Sequence, residues 1–171
     1  MSADRPQIEY YFSFVSLWSY VGSLAFQDLV RRTGAEVSFR PIDLMAVFAA
    51  GGGKPVKERP TQRQAYRLVE MRRWREIRGI PLVLHPRFYP ADPSLGHRML
   101  LAALRDGLDV TAFAHAGLKA VWADEFDIAD PETVARLADD SGLPGRVLLQ
   151  RARDEPEIQA AEAALTQEAI S

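Results

Sequence analysis

Ile8, Tyr10, Phe12 and Phe14 alternate with more polar neighbours, a period of two that marks a strand, and Tyr11 between them predicts a strand covered on both faces. From Leu17 to about Arg32 the period lengthens. Tyr20, Val21, Leu24, Ala25, Leu29 and Val30 recur at spacings of three and four, and Gly34 supplies a helix stop. A second strand, Ala35 to Ile42 through Val37, Phe39 and Pro41, completes a β-α-β unit, whose connecting helix favours parallel pairing and a right-handed crossover. After residue 42 the alternation ends. Residues 43–50 read as a short helix and Gly51-Gly52-Gly53-Lys54-Pro55 as a mobile loop. Thr61 to about Arg78 reads as a long helix closed by Gly79 and Pro81, and Leu82 to Pro90 as an extended segment. Asp92-Pro93 and Asp130-Pro131 each combine an N-cap with a proline at the first helical position. Helices are expected over Ser94–Asp106, Val110–Glu125 and Glu132–Asp140, with two more between Pro144 and Ile170. The pattern predicts an α/β fold: a β-α-β unit over residues 1–42, then an all-helical block over 43–171.

Composition narrows the chemistry. At 171 residues the chain can bury roughly 70% of its unfolded surface and needs no disulfide or metal staple. It contains no cysteine, which excludes disulfide exchange, thiolate metal sites and cysteine nucleophiles. The three histidines, His85, His97 and His115, share no metal-binding spacing, so no metal is expected. Net charge is −2, which gives no bulk attraction to nucleic acid. Arginines crowd the 61–78 helix, but Glu70 and Glu76 share it, as on a solvated face. No leader-like apolar stretch precedes Ile8 and no run is long enough to span a membrane, so a cytoplasmic location without membrane partners is expected.

Chemistry concentrates where the first strand ends and the first helix begins. Ser16-Leu17-Trp18-Ser19 has the spacing of a Cys-x-x-Cys redox motif with hydroxyls in place of thiols, so any thiol must come from a ligand. Ser16 is at once an N-cap candidate and the neighbour of helix N–H groups that lack intrahelical partners and favour an anion. One hydroxyl can serve both roles.

Tyr11-Phe12-Ser13-Phe14-Val15-Ser16-Leu17-Trp18-Ser19-Tyr20 resembles the N-terminal motif of the 2-hydroxychromene-2-carboxylate isomerases and kappa-class glutathione transferases, in the DsbA-like branch of the thioredoxin fold. Further matches in order along the chain are Arg40-Pro41-Ile42-Asp43-Leu44, the glycine loop with Lys54-Pro55, Gly79-Ile80-Pro81-Leu82, Tyr89-Pro90-Ala91-Asp92-Pro93 with Arg98, and Ala120-Val121-Trp122-Ala123. The resemblance implies a thioredoxin-like β-α-β start over 1–42, a helical insertion, glutathione as cosubstrate and a homodimer. Ser16 then faces the glutathione sulfur; Trp18, Gly53 and Lys54 join it in the glutathione site, and Tyr89 and Arg98 take a small aromatic carboxylate substrate. In the isomerases a thiolate adds to a conjugated, ring-opened substrate, allows rotation and leaves again.

The chain departs from that pattern in three ways. Ser13 and Leu17 stand where many members carry Asp and Pro, and Phe48 where characterised isomerases carry a lysine, which leaves Lys54 and Arg98 as the expected cations. The family's Gly-x-Pro-Thr loop with its cis proline, its β-hairpin and its closing helix are expected to be absent from these residues. Trp74 and Trp122 are expected in the core. Three readings stay open at this point: a glutathione-dependent isomerase of aromatic breakdown, a kappa-like glutathione transferase, and a non-catalytic glutathione-binding or interaction module.

Overall fold

Strand β1 (Gln7–Phe12) and strand β2 (Glu36–Pro41) pair in parallel, Ile8 opposite Val37 and Phe12 opposite Pro41, joined by helix α1 (Leu17–Thr33). The computed structural model describes residues 5–171; the first four residues of the expected polar start lie outside the described residues. Gly34 ends α1 at φ 66°, the left-handed backbone that glycine adopts at little steric cost. One sheet face is aromatic: Tyr10 stacks on Phe12 at 4.9 Å and on Phe26 of α1 at 4.4 Å. On the other face the half-buried Tyr11 donates its hydroxyl to Glu168 at 2.8 Å.

The helical block follows as α2 (Leu44–Ala50), a short 3-10 turn (Val56–Glu58), α3 (Thr61–Arg78), α4 (Ser94–Arg105), α5 (Thr111–Trp122), α6 (Pro131–Asp140), α7 (Gly145–Asp154) and α8 (Pro156–Ile170). Its core is carried by α4 to α8, where Met99, Leu100, Phe113, Trp122, Leu148 and Ile158 are fully buried. Asp130 caps α6 by accepting from the Thr133 amide at 2.9 Å, and Asp92 accepts from the Ser94 amide at 2.9 Å, so α4 starts one residue after Pro93. The helix expected to reach Glu125 stops at Trp122. There the chain folds back: Glu125 takes φ 54°, the Phe126 amide donates to Ala120 O at 2.8 Å, and the Glu125 carboxylate accepts from the Arg87 amide. No helix among the described residues is long and apolar enough to cross a membrane.

Phe14 joins the two parts. It leaves β1 and enters a slot between α4 and α5 where Gly96 and Gly117 leave room for its ring; a Cβ at Gly117 would lie 2.6 Å from a ring carbon, and one at Gly96 2.5 Å. Phe113 closes the slot edge-on at 5.6 Å.

Candidate functional site

Because Phe14 is pinned, the chain between it and α1 must turn sharply. The Ser16 amide donates to Ser13 O at 2.8 Å, and Ser16 takes extended backbone as the N-cap of α1. Its Oγ accepts from the Ser19 amide at 3.2 Å and from the Ser19 hydroxyl at 2.9 Å. With those two bonds accepted, its own proton has no acceptor among the described residues and is free for a ligand. The amides of Leu17 and Trp18 have no acceptor among the described residues either, as the first turn of a helix requires.

Ser16 opens on a cavity of about 670 Å³ between the start of α1, α2, the 55–59 segment, α3 and the 84–90 segment. Trp18, half exposed, lies on its rim, and Tyr89, which precedes a cis peptide bond to Pro90, lines it beside Trp122 at 4.7 Å. Three cations contribute to the wall: Lys57, Arg59 and Arg67. Arg67 is half-buried, its guanidinium 5.5 Å from the Trp122 ring and 5.9 Å from that of Tyr89, and among the described residues no carboxylate pairs with it. Burial, the larger cause, and the charge of Arg59 hold its pKa below the ordinary arginine value, against the pull of Tyr89. A half-buried cation without a counter-ion makes this wall favourable for an anion.

The remaining expected contacts fall elsewhere. Gly53 and Lys54 are exposed and do not line the cavity, because the glycine turn packs back on α2, the Gly53 amide donating to Phe48 O at 2.6 Å, and the chain reaches the cavity wall only from Pro55 onward. Lys54 contributes its carbonyl, which accepts from Arg59 Nε at 2.8 Å. Arg98 also lies off the cavity: its Nε donates to Glu162 of α8 at 2.8 Å. Phe48 does line the wall. Ser13 Oγ is fully buried and has no partner among the described residues.

Lys57, Arg59 and Arg67 went unidentified because three to six cations share each of their segments and only the tertiary fold selects which face inward. His97 gave no signal either. It is fully buried, with Nε2 accepting from the Phe14 amide at 3.1 Å and Nδ1 3.2 Å from Glu162. Among the described residues no group of three or more His, Cys, Asp or Glu side chains could hold a metal.

Residues 7–171 match the family model of the DSBA-like thioredoxin domain. A 2-hydroxychromene-2-carboxylate isomerase from Sphingobium xenophagum is 29% identical over 148 residues, covering 85% of this chain and 73% of that protein. Two Pseudomonas proteins of the same name are matched over 56% and 54% of their length, so the chain spans little more than half of them. Among solved structures, a 2-hydroxychromene-2-carboxylate isomerase superposes with a TM-score of 0.74 at 22% identity, over 96% of this chain and 79% of that one. The cytosolic disulfide reductase DsbM from Pseudomonas aeruginosa, in a structure with GSH, superposes with a TM-score of 0.64 at 19% identity, over 92% of this chain and 76% of that one.

Proposed function

The chain belongs to the DSBA-like thioredoxin family, and within it we propose a glutathione-dependent isomerase of a 2-hydroxychromene-2-carboxylate-like aromatic acid. The observation that carries this reading is the Ser16 hydroxyl, which accepts two hydrogen bonds from Ser19 and keeps its proton for the cavity. In a chain without cysteine, a sulfur-based reaction must use a ligand's thiol, and this site has what a thiolate needs. A hydroxyl donor, two unpaired amides and the positive end of α1 all favour the ionised form, whose free pKa is about 8.5. The relatives named as isomerases and the neighbour of the same fold seen with GSH support the choice of reaction and thiol.

Bound glutathione supplies the sulfur that attacks the conjugated substrate and later leaves it. The chain's own groups do the rest. Ser16 donates toward the sulfur position, and the amides of Leu17 and Trp18 add partial positive charge. Trp18 and Tyr89 offer flat apolar surface for an aromatic substrate. Arg67, with Lys57 and Arg59, takes over the carboxylate recognition first assigned to Arg98 and Lys54. A cytoplasmic homodimer is part of the same proposal.

Titrating glutathione into the protein while following thiolate absorbance in the ultraviolet tests the premise. Wild type is expected to show a bound thiolate at neutral pH. Ser16→Ala should lose it and lower turnover about a hundredfold, with only about 1 kcal/mol of stability lost with the cap. Equal losses in both would leave Ser16 a cap alone. Free thiol counted during turnover separates the two enzyme readings: an isomerase regenerates it, whereas thiol consumption matching product identifies a transferase.

A further inference from the structure

We propose that His97 is the positioning residue for Ser16: as a neutral, Nδ1-protonated imidazole it sets the plane of the peptide that anchors the Ser16 turn. The proposal rests on the reading of the cavity as a glutathione site, and its geometry is independent of that reading.

The Phe14 amide donates to His97 Nε2 at 3.1 Å, so that nitrogen must present a lone pair and the ring proton sits on Nδ1. Nδ1 faces Glu162 Oε1 at 3.2 Å, and the other carboxylate oxygen takes Arg98 Nε at 2.8 Å. The donors thus run from the Phe14 amide, just past β1, to His97 of α4 and on to Glu162 of α8, whose carboxylate also accepts from Arg98 of α4. His97 is fully buried and Glu162 nearly so, in surroundings where an unmade bond is costly.

The peptide held this way matters for what its other end does. The N–H of Phe14 and the C=O of Ser13 belong to a single planar unit. Its N–H goes to His97, and its C=O receives the Ser16 amide at 2.8 Å. The slot between Gly96 and Gly117 fixes where the Phe14 ring lies, but a ring in a slot leaves the peptide free to rock about its flanking bonds. The bond to His97 removes that freedom, and Ser16 inherits the orientation. Sequence offers no hint of this, since His97 lies 83 residues from Phe14 and Glu162 a further 65 from His97.

Two isosteres separate this role from mere packing. Asparagine places its amide near the Nδ1 position and keeps a donor for Glu162, whereas glutamine reaches the Nε2 position and keeps an acceptor for Phe14. His97→Asn is expected to speed exchange of the Phe14 and Ser16 amides about tenfold and to weaken glutathione binding about tenfold, with less bound thiolate. His97→Gln should stay within about threefold of wild type in both, although the two variants lose similar melting temperature. Equal impairment of both, or a His97→Asn protein with wild-type exchange and thiolate, overturns the proposal. Should neither variant fold, ¹⁵N-labelled wild type decides: a scalar coupling across the hydrogen bond between the Phe14 amide and His97 Nε2 is expected, and its absence overturns the proposal. If wild type binds no glutathione, the functional reading falls, while amide exchange and coupling still show whether His97 holds the turn.

Discussion

The two sides of the cavity are held by different means. On the Ser16 side the chain is anchored by Phe14, fully buried between two helices, and by the hydrogen bond its amide donates to His97. On the facing side, α2 and the segment through residue 60 contain no buried residue, and α2 is held through its Asp43 cap, whose carboxylate accepts from the Met45 amide at 2.9 Å and whose own amide donates to Thr166. The contrast suits the proposed chemistry. A hydroxyl that must meet one atom needs a fixed direction, which close packing provides. A surface that must fit an aromatic acid gains more from side chains free to adjust, such as Met45.

On this contrast Phe14→Ala should be the most damaging change, about 3–5 kcal/mol in chemical denaturation, because it empties a slot that the facing glycines cannot refill. A loss below about 1 kcal/mol would mean the anchor is not closely packed. Gly117→Ala probes the same anchor from the other wall: its added methyl meets three Phe14 ring atoms at 2.6–2.7 Å. It is expected to cost about 1–3 kcal/mol and to weaken glutathione binding with it. On the facing side, Met45→Ala should change stability by less than about 0.5 kcal/mol yet shift the KM for aromatic substrates, measured by steady-state kinetics on a substrate series.

The smallest effect belongs to pH. Behind α1, His115 Nδ1 lies 2.8 Å from Ser23 Oγ, and burial, then the Lys119 charge, hold its pKa below the ordinary value, with Asp124 opposing. The fold therefore favours the neutral ring. As pH falls below about 6.5 the unfolded chain takes up the proton first, so the contribution is complete above that pH and is lost on acidification toward the lower folded value. Melting curves should show this slope in wild type and a flatter one in His115→Gln.

Local signals in the sequence sufficed for the elements and failed for the cations. The period change at Leu17, the stops at Gly34 and Gly79 and the Asp130-Pro131 start act within a few residues, and each element stands where they place it. The end of α5 did not follow its periodicity, because the apolar pattern continues past Trp122 while the left-handed backbone that ends it, which ordinarily calls for glycine, is taken by Glu125, so no stop residue marks the place. Ser16 was legible since strand end, cap and helix start are contiguous. Lys54 and Arg98 stood in the right neighbourhood of sequence, yet a glycine turn carries one away and Glu162, 64 residues from Arg98, claims the other.

One contact near the opposite end of the chain bears on how the molecule assembles. Glu168 takes bonds from Tyr11 of the first strand and, at 2.7 and 2.9 Å, from Arg40 of the second, closing a loop that spans 157 residues. On a ribosome this clasp forms only after Glu168 has emerged, so the strand pair must wait unclasped while the helices accumulate. Weakening it, as in Glu168→Gln, should then quicken unfolding and leave the rate of folding almost untouched.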